Sequence, residues 1–60
     1  MIIFQDVIEN TDLTREELET NIPEDLDPIS TTDVRIRDFI VRYFIHKNEI
    51  VATYVRERCE

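Results

Sequence analysis

The chain has 60 residues, a net charge of −7 and no glycine. A chain of this length forms one domain at most, and it buries only about 60% of the surface that its unfolded form exposes. Phosphate-binding loops, dinucleotide-binding turns and nucleophile elbows all depend on glycine, so the composition excludes them. We expect a single small domain over residues 1–60.

The charge is unevenly distributed along the chain. Residues 1–33 carry ten acidic side chains against one arginine, Arg15, whereas residues 34–60 are mildly basic. The acidic segment could pack near the basic one and be partly neutralised. It could also face outward and attract a basic partner.

The first segment, residues 2–9, does not favour one type of secondary structure. Its apolar residues Ile3, Phe4, Val7 and Ile8 have the spacing of one helix face. Ile2, Phe4 and their β-branched neighbours fit a short strand equally well. Periodicity over eight residues cannot decide between the two.

A short acidic helix is predicted over residues 14–21. Thr14 and Glu17 form a capping box, in which each side chain bonds the other residue's backbone amide. Pro23 ends the helix, and Asn21 is suited to its last position. Residues 23–31 form a loop that Leu26 and Ile29 are expected to pin onto the core.

The last segment is the most informative part of the sequence. Its apolar residues recur every three or four positions, which predicts one amphipathic helix over about 32–58, with a kink near 47 or a break at Lys47-Asn48 as variants. Arg35, Arg42 and Arg56 fall on the opposite, solvent-facing side. The apolar positions predicted to form the core or an oligomer interface are Ile36, Phe39, Ile40, Tyr43, Phe44, Ile50, Val51, Tyr54 and Val55.

A β-hairpin with strands 34–45 and 50–56 is the alternative for this segment. Its many β-branched and aromatic residues favour strands. A strand through 34–45 would, however, place Asp38 and Arg42 on one face with Ile40, which is a poor core face. The prediction is therefore an all-α domain of two or three helices, and an α+β fold with a C-terminal β-hairpin is the alternative.

No catalytic, cofactor or metal site is predicted. His46 falls on the polar side of the expected helix, and Cys59 is the only cysteine, which fits a reducing cytoplasmic compartment. Neither a signal peptide nor a membrane-spanning stretch is recognisable. The acids in residues 24–27 lack the glycine and the spacing of a calcium loop.

These features predict a non-enzymatic protein that binds and modulates or inhibits a larger protein, without binding nucleic acid or a membrane. Acids at helical spacing could imitate a row of phosphates, so the partner could be a nucleic-acid-binding protein. Small phage-encoded antagonists of host enzymes often look like this, which is an analogy without a motif. The alternative is a structural subunit of a homo-oligomer that uses the long helix as its interface. The acidic partner-binding surface is predicted at Asp12, Glu16, Glu17, Glu19, Glu24, Asp25 and Asp27.

Overall fold

The computed structural model describes residues 2–57 and has a mixed four-stranded sheet with two short helices. The all-α prediction is wrong, because the segment expected to be one long helix forms three strands instead. The sheet order is β1-β4-β3-β2, in which β1 is parallel to β4 and the other pairs are antiparallel. The elements are β1 (Ile2–Ile3), α1 (Gln5–Asn10), α2 (Arg15–Thr20), β2 (Thr31–Ile36), β3 (Phe39–His46) and β4 (Glu49–Glu57).

Two turns of two residues each build the antiparallel part of the sheet. Residues 37–38 join β2 to β3, and Lys47-Asn48 join β3 to β4. Arg37, Lys47 and Asn48 have φ values of 53°, 52° and 65°. Positive φ at both residues of the Lys47-Asn48 turn, and at the first residue of the 37–38 turn, matches the right-handed twist of the flanking strands, and glycine is common at such positions. The lack of glycine therefore concealed both hairpins in the sequence.

The same turns explain why the residues looked helical. The two residues that flank a two-residue turn pair with each other and therefore lie on the same face of the sheet. Residues of one face are two positions apart within a strand but three positions apart across the turn. Ile36 pairs with Phe39, and the inner face then continues through Val41 and Tyr43. The mixed face that argued against a strand through 34–45 exists, since Ile40 and Arg42 share one face of β3. It is the outer face and not the core face, and Ile36 lies on the opposite side.

The core lies between the inner face of the sheet and the two helices. Phe4, Val7, Leu13 and Leu18 from the helical side bury against Ile36, Val41, Tyr43 and Ala52 of the sheet. Of the predicted core residues, Phe39, Ile50 and Tyr54 pack partly buried around this cluster. Ile40, Phe44, Val51 and Val55 do not join it.

Tyr43 joins the sheet to α2 through a buried hydrogen bond. Its side chain is fully buried, and its hydroxyl donates to the carbonyl oxygen of Leu18 at 2.7 Å. The last carbonyls of a helix lack partners within that helix, so this bond satisfies one of them. Phe4 meets the Tyr43 ring edge to face, with centroids 6.3 Å apart. Burial raises the pKa of Tyr43 from 10.0 to about 12.

The N-terminal segment contains both of the elements that its sequence left open. Ile2 and Ile3 pair with Ile50 and Val51 as β1, and α1 follows directly. Asp6 in the first turn of α1 accepts the backbone amide of Tyr54 at 2.8 Å. The Asp6 side chain thus bonds a backbone amide of β4 beyond the end of the two-residue strand β1.

The short acidic helix is confirmed. It spans Arg15–Thr20, with Thr14 as N-cap and Asn21 as C-cap, and both bonds of the Thr14–Glu17 capping box are present. In the following loop, Leu26 packs against the core as expected. The expectation for Ile29 is wrong, because its side chain is 95% exposed.

We expect Lys47→Gly to stabilise the protein by roughly 0.5–1 kcal/mol. Relief of the left-handed backbone at Lys47 outweighs the extra entropy of glycine in the unfolded chain. Urea unfolding monitored by circular dichroism measures the change. Thr53→Gly, in the interior of β4, is the control and should lower stability. A destabilised Lys47→Gly protein would contradict this account of the turn.

We expect Tyr43→Phe to lower stability at neutral pH by about 1–2 kcal/mol, because the Leu18 carbonyl loses its partner. The pKa of Tyr43 is raised by folding, so its protonated form stabilises the fold fully below pH 10.0, and this contribution is lost as pH rises towards 12. The difference between wild type and variant should therefore shrink in that range. Urea unfolding as a function of pH measures it.

The control for this experiment is Tyr54→Phe. Within residues 2–57, the Tyr54 hydroxyl makes no hydrogen bond, so its removal should change stability by no more than about 0.5 kcal/mol. A wild type–Tyr43→Phe difference that stays constant up to pH 12 would show that the buried hydroxyl does not govern alkaline stability.

Candidate functional site

The acidic side chains are concentrated on one side of the molecule. We call residues 5–30, which comprise α1, α2 and the loop after α2, the acidic layer. It contains nine acidic residues and one arginine, and it covers the inner face of the sheet. The uneven charge of the sequence therefore becomes an uneven charge between the two layers of the fold.

Arg37 partly neutralises the acidic layer from the first hairpin turn. Its guanidinium lies 3.0 Å from Glu17 Oε2 and 3.4 Å from Asp12 Oδ1, and it donates to the Asp12 carbonyl oxygen at 3.1 Å. Glu17 also closes the capping box of α2. These bonds hold the first hairpin turn against the helical side of the molecule.

The predicted acidic surface is consequently divided. Asp12 and Glu17 are engaged by Arg37, and Glu19 pairs with Arg15 at 3.2 Å. Glu16, Glu24 and Asp25 are exposed. Within residues 2–57, the acids of this layer that form no ion pair are Asp6, Glu9, Glu16, Glu24, Asp25 and Asp27.

Asp27 has a local structural role in addition to its charge. It accepts the backbone amide of Ile29 at 2.9 Å, and this bond, with support from Ser30, lowers the pKa of the Asp27 carboxyl. Asp27 is therefore ionised at neutral pH, and it shapes the loop that presents Ile29 to solvent.

The outer face of the sheet carries the arginines. Arg35, Arg42 and Arg56 share it, so their predicted grouping on one face holds although the element is a sheet and not a helix. Asp33 lies directly opposite Arg42 and accepts two bonds from it, at 2.8 and 3.2 Å. The Arg42 hydrogen bond lowers the pKa of Asp33.

The predicted interface set is split between the two faces of the sheet. Ile36 and Tyr43 are buried in the core, with Phe39, Ile50 and Tyr54 around them. Four others lie on the outer face, where no helix covers them: Ile40, Phe44, Val51 and Val55. The predicted helix would place these nine residues on one surface, whereas the sheet divides them between its two faces.

His46 is exposed at the end of β3, and Glu49 is its cross-strand partner. Residues 2–57 enclose no pocket and hold no cluster of three or more potential metal ligands. Cys59 lies outside the described residues. Across 2–57, no helix has the length and apolar character needed to cross a membrane.

Comparisons with known proteins identify no relative of this chain. No protein-family model matches it, and neither the curated proteins nor the solved structures provide a match. The case for function therefore depends on the two surfaces described above.

We expect Arg37→Ala to lower stability by about 1 kcal/mol, because it removes two half-exposed ion pairs and a bond to the Asp12 carbonyl. Urea unfolding at low and high salt measures this loss, which salt should reduce.

Arg35→Ala is the matched control. Arg35 is exposed two residues away, and within residues 2–57 it forms no ion pair. Its substitution should change stability by no more than about 0.5 kcal/mol. Equal losses for the two variants would contradict a specific role for Arg37.

Proposed function

We propose that this chain is a small non-catalytic protein that binds a larger protein and modulates or inhibits it through the acidic layer. The observation that carries the proposal is the segregation of charge: nine acids and one arginine lie in residues 5–30, on the side opposite the arginines of the sheet. A surface of this kind suits a partner with a basic face.

Electrostatic attraction is the mechanism that we propose for recognition. Exposed charges of one sign create a field that speeds association with a complementary surface and weakens as salt is added. Glu24, Asp25 and Asp27 supply three such charges within four residues of the loop. The exposed side chain of Ile29 beside them adds an apolar contact that a partner could bury.

Imitation of nucleic acid is the more specific version of this proposal, with the basic cleft of a nucleic-acid-binding protein as its target. The two-turn helix α2 supports only a short row of carboxylates, and Glu19 within it already pairs with Arg15. Mimicry of nucleic acid is therefore supported more by the total charge of the acidic layer than by a regular spacing of its carboxylates.

One further part of the proposal comes from the sequence. The cytoplasmic location is part of it, because a lone cysteine suits a reducing compartment. The structural subunit that uses a long helix is not carried forward, because residues 31–57 form strands and turns.

The test compares three forms of the protein as immobilised baits in cell extract. The first is the wild type, and the second carries Glu16→Gln, Glu24→Gln and Asp25→Asn. We expect the wild type to retain a partner that the second bait loses by at least about tenfold. Retention should fall steeply with salt, and added DNA should compete if the layer imitates nucleic acid.

The third bait is the matched control with Asp38→Asn, Glu49→Gln and Glu57→Gln. It has the same net charge as the second bait, but its changes lie in the hairpins and not in the acidic layer. It should retain the partner as the wild type does. A partner held equally by all three baits, or held independently of salt, would disprove the proposal.

A further inference from the structure

The outer face of the sheet is arranged in cross-strand rows. One apolar row runs through Ile3, Val51 and Phe44 and ends at Thr31 on the edge strand. A second apolar group contains Ile40 and Val55, where a register shift lets two residues of β4 face one of β3. The row between them is polar and contains Thr53 and the Asp33–Arg42 ion pair.

The apolar residues of this face have no covering layer. Ile3 is 38% exposed, and the other four are partly buried only, although both helices lie on the opposite side of the sheet. Sheets with one bare face usually show polar residues there in alternation with the core residues. A bare face with two apolar groups is therefore a candidate contact surface.

The charge of the outer sheet face indicates which partner can bind to it. Three arginines oppose Asp33 and Glu49 on the outer face, so it is nearly balanced, whereas the whole chain carries −7. Two copies that meet through their acidic layers would repel each other strongly. Two copies that meet through their outer sheet faces bring balanced surfaces together and keep the acidic layers apart.

The dimensions of the sheet set the size of the interface that a second copy would form. The nine residues of β4 span about 30 Å and four strands about 15–20 Å. These lengths match the two larger dimensions of the molecule, 32 and 20 Å. Because β1 has only two residues and β2 six, the sheet face covers roughly 400 Å² before side chains are added, about half of the ~800 Å² that each partner contributes to a standard interface.

The small core provides a reason for such an interface. Only eight residues within 2–57 form the buried cluster. The single cysteine excludes a disulfide within the chain, and no metal-ligand cluster exists among the described residues. Small domains without these constraints commonly gain stability by oligomerisation.

We propose that the outer sheet face binds a second copy of this chain, forming a symmetric face-to-face homodimer. The apolar groups pack across the interface as in a two-sheet sandwich, with the sheets about 10 Å apart. The two acidic layers then point away from each other. An arrangement that placed the acidic layer of one copy on the sheet of the next would be a head-to-tail contact, which builds rings or open chains and not a symmetric dimer.

Sedimentation equilibrium from about 1 to 100 μM tests the proposal with a matched pair of variants. Ile3 and Ile8 are both 38% exposed, but Ile3 lies on the outer sheet face and Ile8 on α1. We expect the wild type and Ile8→Glu to sediment at twice the chain mass of 7.2 kDa. Ile3→Glu and Phe44→Glu should weaken the dimer by at least about 100-fold, because each buries an unpaired charge.

Thr31→Glu is a second interface variant, which tests the proposal even if Phe44→Glu does not fold. Thr31 is exposed at the end of the same row, so its substitution adds a charge without removing core packing, and it should also dissociate the dimer. Circular dichroism of each variant confirms that its sheet is intact. A wild type that stays monomeric throughout, or an undiminished dimer of Phe44→Glu, would overturn the proposal.

A nucleic-acid ligand is the competing occupant, since Arg42 lies next to Phe44 along β3, and Arg35 and Arg56 flank Ile40 across the sheet. A fluorescent single-stranded oligonucleotide is the probe. We expect no binding above background at physiological salt, because the chain is strongly acidic overall. Binding that Phe44→Glu abolishes and Ile8→Glu preserves would assign the face to nucleic acid and refute the dimer.

Discussion

The two tight turns at residues 37–38 and 47–48 are the constraint on which the rest of the structure depends. Each turn sets the register of one strand pair, and a register shift of one residue would exchange the two faces of a strand. With the observed register, Val41, Tyr43 and Ala52 point together into the core. Tyr43 can then reach the Leu18 carbonyl, and Arg37 can reach α2 from its own turn. The positive φ of Arg37 and Lys47 is unfavourable, and the packing of the whole sheet offsets it.

This register also separates the surfaces that we propose to be functional. One face of the sheet is covered by the acidic layer, and the other is bare, nearly balanced in charge and partly apolar. The proposed dimer and the proposed partner site therefore use opposite sides of the molecule and do not compete. Each proposal can fail without the other, since variants of Ile3 leave the acidic layer unchanged and variants of Glu16 leave the outer face unchanged.

Local signals in the sequence predicted part of this structure. The capping box at Thr14 and the stop before Pro23 defined α2, because both depend on chemistry within a few residues. The sequence also indicated which residues are apolar, which arginines share a face and where the charge changes. The C-terminal strands were missed because two glycine-free turns altered the period of the apolar pattern from two to three at each turn. Ile29 was misplaced because its exposure depends on the path of a loop, which hydrophobicity does not determine. The contacts of Tyr43, Asp6 and Arg37 join residues more than 15 positions apart and have no local signal.

Nuclear magnetic resonance of the intact chain tests the central claim, the register set by the two turns, most directly. The account predicts close contacts between the α-protons of Asp33 and Arg42 and between those of Tyr43 and Ala52, which are facing pairs in the two hairpins. It also predicts positive φ at Arg37, Lys47 and Asn48. Contacts between residues three apart in sequence throughout 36–55, with helical chemical shifts, would contradict it.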